Sequence, residues 1–361
     1  MIFTKFMVEC IMRKYEIKGE KLLSKVICVK TREDFKKLDA AAHALKCGKL
    51  VAFPTETVYG LGANALDEEA VRSIFKAKGR PQDNPLIVHI AKKEDIKRLV
   101  KSVPDTAKKI LDTLTPGPIT IILEKSDIVP SVVTAGGKTV AVRIPESEIA
   151  RKLIEKAGVP VAAPSANTSG KPSPTKAEHV IEDLADKLEF IIDGGACRVG
   201  LESTVLDLTV TPPAILRPGG VTHEELCALL GEVKGYKKYE DDKTAPKSPG
   251  MKYRHYAPSA DMTVFCGELC REEIKKEINA KKCERIYVLT AGDFRYENAE
   301  NINCGKTPEE YSKNLFDALR SADNSGAQVI FAEFPFSSGG IATALFNRIS
   351  KSCGGNIKLC K

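Results

Sequence analysis

Short apolar runs alternate with amphipathic segments along most of this chain. Strand-like runs are KVICV (25–29), LVAFP (50–54), PLIVHI (85–90), ITIILE (119–124), TVAVRI (139–144), VPVAA (159–163), FIID (190–193) and STVLDL (203–208). Helix-period patterns fill the gaps: about 33–47, stopped by Gly48, then Asp67 to Lys78, SEIARKLIEKAG (147–158) and KAEHVIEDLADKL (176–188). The alternation predicts an α/β unit, an open twisted sheet with helices packed on it.

After Gly231 the pattern lapses. Residues 232–261 carry lysines, prolines and four tyrosines with little apolar periodicity, which reads as a linker with more contact chemistry than a passive tether. From Met262 the runs MTVF, RIYVLT and QVIFAEF resume between helical segments and predict a small Rossmann-like α/β domain. The expected organisation is an N-terminal extension (1–23), a first domain (24–231), the linker (232–261) and a second domain (262–361).

Composition narrows the class. The chain has 361 residues, 43% hydrophobic and 29% charged, with no apolar run near the ~18 residues of a membrane helix. Glu9 and Arg13 break the leading apolar stretch, so the protein is expected to be cytoplasmic and free of membrane. Its eleven cysteines are scattered and odd in number, which argues against a disulfide framework or a zinc ribbon. Cys266, Cys270, Cys283 and Cys304 come closest to a cluster.

The net charge of +7 is unevenly spread. Residues 1–50 hold twelve Lys and Arg against six Asp and Glu, which leaves +1 for the remaining 311. A basic leading segment suits either a solvated tail or a weak RNA contact, and the body is nearly neutral.

Familiar nucleotide motifs fail on inspection. Gly60-Leu61-Gly62-Ala63-Asn64-Ala65 matches G-x-G-x-x-A, but the acidic residue a dinucleotide fold needs at the end of a second strand, about 20 positions later, is not convincingly placed. Two Gly-Lys-Thr triplets lack the earlier P-loop glycine, whose places are taken by Val132 and Glu300. Nucleophile elbows and zinc-protease motifs are absent.

A constellation remains in PTETVYGLG (54–62), KGRPQDNPLIVHI (78–90), TVAVRIP (139–145), APSANTSGKPSPT (163–175), ESTV (202–205) and LRPGG (216–220). Each segment sets polar residues beside Gly or Pro at a strand end or turn, where ligands bind in open α/β sheets. Lys78, Arg80, Arg143 and Arg217 supply cations with few carboxylates nearby, a balance suited to an anion such as a triphosphate. Lys78 and Arg80 also fit a plain helix C-terminus. His89 fits a structural strand position, and Ser165 and Asn167 fit a local turn. Thr139, Ala141 and Arg143 share a strand face that would make poor core.

Together these segments resemble the YrdC-like domain of threonylcarbamoyl-AMP synthases in their long, two-domain form, from about residue 24 to the end. Lys78-x-Arg80 with Ser165-x-Asn167 matches the family signature. The resemblance implies a nucleotidyltransferase making threonylcarbamoyl-adenylate and pyrophosphate from L-threonine, bicarbonate and ATP, with Mg²⁺ carried on the ATP phosphates. The product would pass to tRNA-modifying proteins for threonylcarbamoyladenosine formation. It further implies L-threonine contacts at Thr57, His89, Arg143, Ala163 and Ser203. Nucleotide contacts are implied at Arg80, Asn84, Thr139, Ser165, Asn167, Ser173, Arg217 and Tyr256, the last making the linker a candidate lid, and Lys78, Arg80 and Arg143 are the candidate catalytic cations. Two other readings stand beside it: an RNA-binding module without catalysis, and a different adenylating or carbamoyl-transfer enzyme on the same scaffold.

Overall fold

The helix Glu68–Lys78 shows how locally the chain encodes its elements. Asp67 caps it by accepting from the Glu69 and Ala70 amides, and Gly79 ends it in a left-handed conformation (φ 62°) that returns its amide to the Lys76 carbonyl. Ala70, Val71, Ile74 and Phe75 form its buried stripe. The segment expected as a helix over 33–47 is a 3-10 turn, Arg32–Leu38, running into the α-helix Asp39–Lys46.

In this computed structural model, residues 24–236, 255–281 and 285–360 are described. The expected extension (1–23), most of the linker and Cys283 therefore lie outside the described residues.

The first unit is built on ten strands: β1 (Lys25–Cys28), β2 (Val51–Phe53), β3 (Gly60–Asn64), β4 (Ile87–His89), β5 (Ile119–Glu124), β6 (Thr139–Arg143), β7 (Val161–Ala162), β8 (Phe190–Asp193), β9 (Thr204–Asp207) and β10 (Ala214–Arg217). They pair in the order β1-β8-β2-β3-β7-β4-β6-β5-β9-β10, mixing parallel and antiparallel neighbours. Strands covered on both faces read as continuous apolar runs, and β5 is buried from Ile119 to Leu123.

The second unit is an all-parallel sheet of β11 (Asp261–Cys266), β12 (Ile286–Thr290), β13 (Glu300–Asn303), β14 (Val329–Phe334) and β15 (Ile357–Leu359), ordered β13-β12-β14-β11-β15. Helices Cys270–Ala280, Pro308–Asn324 and Gly340–Ser352 connect its strands. This is the expected parallel α/β layering, although its first and fourth strands are exchanged relative to the 3-2-1-4 order of a dinucleotide-binding sheet. No helix among the described residues is long and apolar enough to cross a membrane.

The two units meet across a buried, charged seam. Val58 and Leu201 of the first unit share a core with Tyr311, Leu315 and Phe316 of the second. Arg320 donates to the Pro172 carbonyl and to Asp183, and Asp317 receives Lys176 and His179. At Gly200 (φ 79°) the backbones approach so closely that a Cβ would stand 2.5 Å from the Ser312 carbonyl oxygen.

Candidate active site

The parallel pairing of β4 and β6 sets His89 opposite Arg143 and Ile87 opposite Ala141, so alternation brings an imidazole and a guanidinium to one face. Arg143 donates through Nη2 to Glu56 Oε1 (2.5 Å) and to Thr57 Oγ1 (2.9 Å). The second Glu56 oxygen accepts the Glu146 amide at 3.0 Å. Arg143 Nε and His89 Nδ1 are buried and find no partner among the described residues. Burial, reinforced by the Arg143 charge, pushes the His89 pKa down to about 3, so this imidazole is neutral.

Arg143 and His89 form the floor of a cleft whose walls come from the turns between strands. Lys78, Arg80, His89, Arg143, Ala163, Ser165, Asn167, Ser173, Arg217 and Tyr256, all named from sequence, line it. Four others do not line it. Thr57 is buried against Arg143, Ser203 holds Arg217 through its carbonyl (2.9 Å) and hydroxyl (3.2 Å), and Asn84 is enclosed with both amide atoms unpartnered among the described residues. Thr139 sits opposite Glu124 at the far end of β6, four residues and about 13 Å from Arg143 on the same face.

Lys78 does two jobs at once. Its ammonium donates to the Ser165 and Asn167 carbonyls, both at 2.5 Å, with Asn167 Oδ1 at 3.4 Å. Three acceptors for three protons make it the fastener of the Ser165–Asn167 turn, and its charge rather than a spare donor is what it brings to the cleft. Burial and the neighbouring Arg80 lower its pKa. Within the turn, Ser165 donates to Asn167 Oδ1 (2.5 Å), while Asn167 Nδ2 donates to the Thr168 and Lys171 carbonyls.

On the opposite wall Ser173 donates to Glu202 Oε1 at 2.7 Å, and Arg348 of the second unit donates to Glu202 Oε2 at 2.6 Å. Burial alone would raise the Glu202 pKa, but Arg348 and Arg217 hold it down to about 2, leaving an ionised carboxylate in a cationic cleft. Tyr256 closes this side, buried at φ 64°, its ring stacked on Phe316 (centroids 5.1 Å) with the Arg348 guanidinium 5.8 Å from the ring centre.

The sequence motifs do not single out Glu56, Glu202 or Arg348, nor His255, which also lines the cleft. Glu56 and Glu202 stood in quoted segments, yet only their neighbours were singled out. Arg348 had a usable signal, a cation on an otherwise apolar stretch of GIATALFNRIS. Among the described residues no group of three His, Cys, Asp or Glu could hold a metal ion. Cys266 and Cys304 lie in one core cluster and Cys270 in another, their thiols raised in pKa by burial.

Comparisons with known proteins bear on both domains. A family model described as telomere recombination (Sua5, YciO and YrdC) matches residues 43–219, and one described as the threonylcarbamoyl-AMP synthase C-terminal domain matches residues 221–354. Threonylcarbamoyl-AMP synthase of Pyrococcus abyssi is 50% identical over 91% of this chain and 97% of its own length. That of Bacillus subtilis is 44% identical over 88% and 93%. The crystal structure of P. abyssi Sua5 complexed with L-threonine superposes with a TM-score of 0.89 at 48% identity, covering 93% of this chain and 99% of that one. In sequence, in both domains and in fold, the chain belongs to the threonylcarbamoyl-AMP synthase family.

Proposed function

We propose that the cleft joins L-threonine, bicarbonate and ATP into threonylcarbamoyl-adenylate and pyrophosphate. The observation that carries this reading is the pair of buried nitrogens without a partner among the described residues, Arg143 Nε and His89 Nδ1, borne by residues paired across β4 and β6. Buried polar atoms are ordinarily paired, and a small ligand with a carboxylate and a hydroxyl would satisfy both. L-threonine is such a ligand, and the P. abyssi relative is crystallised with it.

In this reading the threonine amine and bicarbonate give a carbamate and water. A carbamate oxygen then attacks the α-phosphorus of ATP, and the bond to the β-phosphate oxygen breaks to release pyrophosphate. The nucleophile is already an anion, so the step calls for alignment and charge neutralisation more than for a strong base. Arg143, aimed by Glu56 and Thr57, binds the threonine carboxylate through its remaining donors, and neutral His89 forms the adjoining wall with Ala163. Arg80, the buried Lys78 charge and Arg217 offset the phosphate charge, with Asn84, Thr139, Ser165, Asn167, Ser173 and Tyr256 placed around the nucleotide. Glu202, the carboxylate that lines the cleft among the described residues, does not fit a magnesium site, since it is committed to Arg348 and Ser173. Mg²⁺ therefore belongs to the nucleotide in this proposal, and the adenylate would serve a tRNA-modifying reaction in the cytoplasm.

The test supplies ATP, Mg²⁺, L-threonine and bicarbonate to the full chain and follows pyrophosphate and an adenylate product. Formation should require both threonine and bicarbonate. Equal pyrophosphate without threonine would sink the reading, and independence from bicarbonate would point to simple carboxylate adenylation instead.

A further inference from the structure

Arg348, on the helix Gly340–Ser352 of the second unit, is wholly buried. All three of its guanidinium nitrogens are engaged: Nε with Glu202 Oε2 (2.6 Å), Nη1 with Asn347 Oδ1 (2.7 Å) and Nη2 with the Pro218 carbonyl (2.9 Å). Two of these contacts cross into the first unit, and both land beside the cleft. Glu202 and Arg217 line it, and Pro218 follows Arg217 directly.

We infer that Arg348 is a positioning residue for the nucleotide half of the cleft, acting through Glu202 on Ser173 and through Pro218 on Arg217, and that it makes Ser173 a hydrogen-bond acceptor. The proposal rests on the adenylating reading above and adds a role for the second domain within it.

The polarity follows from the donor and acceptor inventory. An ionised carboxylate only accepts, so the single Ser173 hydroxyl proton points at Glu202 Oε1 and its lone pairs are left for the ligand. Lone pairs cannot serve a phosphate oxygen. They accept an N–H or O–H, so this wall reads a base amine or a sugar hydroxyl of the nucleotide. Without Arg348, Glu202 would be a poorly paired buried carboxylate close to a triphosphate. It would then either repel the ligand or take up a proton and release the Ser173 geometry.

ATP titration calorimetry on the full chain tests this without turnover. Arg348→Met should weaken ATP binding at least about tenfold, Arg348→Lys should recover part of it, and the affinity for L-threonine, titrated in the same way, should stay within about twofold. Ser173→Ala should weaken ATP binding in the unaltered background and have much less effect beside Arg348→Met, because the two act in one chain of contacts. The unaltered chain should also discriminate ATP from at least one of 2′-deoxy-ATP, 3′-deoxy-ATP and purine riboside triphosphate, and Ser173→Ala should erase that preference. If Arg348→Met does not fold, Glu202→Gln, which keeps shape and removes charge, is expected to give the same loss of ATP affinity. Unchanged ATP affinity in the folded variants, equal losses for ATP and threonine, additive effects, or intact discrimination in Ser173→Ala would each overturn the inference. Failure of the unaltered chain to bind ATP or to need threonine would instead count against the underlying reading.

Discussion

The Arg143 guanidinium and the Glu56 carboxylate lie 2.5 Å apart, 87 residues apart in the chain, with side chains only 5% and 4% exposed. Breaking a buried pair by removing one member leaves the other charge uncompensated, at a cost of about 3–5 kcal/mol. Glu56→Ala should therefore lower stability by that order in urea denaturation and raise the threonine KM, since Arg143 loses its aim. An Arg143→Ala protein that still bound threonine normally would remove Arg143 from the threonine site.

The neutral His89 has a signature in pH. Its folded-state pKa lies near 3 against about 6.5 in the unfolded chain, so the unfolded state binds the extra proton as pH falls between those values. The stability tied to neutral His89 is fully present above pH 6.5 and lost on acidification, by about 3 kcal/mol between pH 7 and pH 4. Urea midpoints of the unaltered chain and of His89→Gln should converge over that window. Parallel curves would mean that His89 titrates normally.

Gly200 tests the seam between the two units. Alanine there would carry the left-handed backbone cost of roughly 1–2 kcal/mol and also press its Cβ into the Ser312 and Lys313 backbone. Gly200→Ala should lower the thermal midpoint by several degrees, whereas the same change at Gly158, left-handed but with open space around its Cβ position, should lower it less. Equal shifts would show that the close approach is unimportant.

Chelation separates the metal from the fold. With no cluster of three His, Cys, Asp or Glu among the described residues, a chelator should stop pyrophosphate formation while leaving the thermal midpoint of the ligand-free chain unchanged. A fall in midpoint on chelation would reveal a resident ion.

Much of the first domain was legible because period and caps are local. The alternation over 139–143 puts Thr139, Ala141 and Arg143 on one face of β6, and the helix expected over Asp67 to Lys78 runs from Glu68 to Lys78. The stretch read as a failed dinucleotide turn, GLGAN, is instead strand β3. A Cβ on Gly62 would stand 2.7 Å from the Phe53 ring and 2.9 Å from Val161, so those side chains occupy space that only glycine leaves, and tertiary packing overrides its poor strand propensity. The polar strand β13 (ENIN) was hidden for a similar reason, carrying none of the apolar period that marks a strand. At the site, sequence identified residues but not their pairings. Lys78 read as either a helix end or a phosphate cation, and it is both the last residue of its helix and the clamp of a turn 87 residues on. The Glu202–Arg348 pair spans 146 residues and two domains, a distance over which no spacing rule operates.

The seam between the units also imposes an order in time. A ribosome delivers Ser173, Asp183, Glu202 and Arg217 long before Arg320 and Arg348, so the nascent first domain holds Asp183 and Glu202 with their Lys171 and Ser173 partners but without the two guanidinium groups. Domains generally fold as units in the order of synthesis, and this one meets these two guanidinium groups only once much of the second domain has followed it. The Glu202 side of the cleft is thus finished later than the Arg143 side, whose Glu56 and Thr57 partners precede Arg143 in the chain.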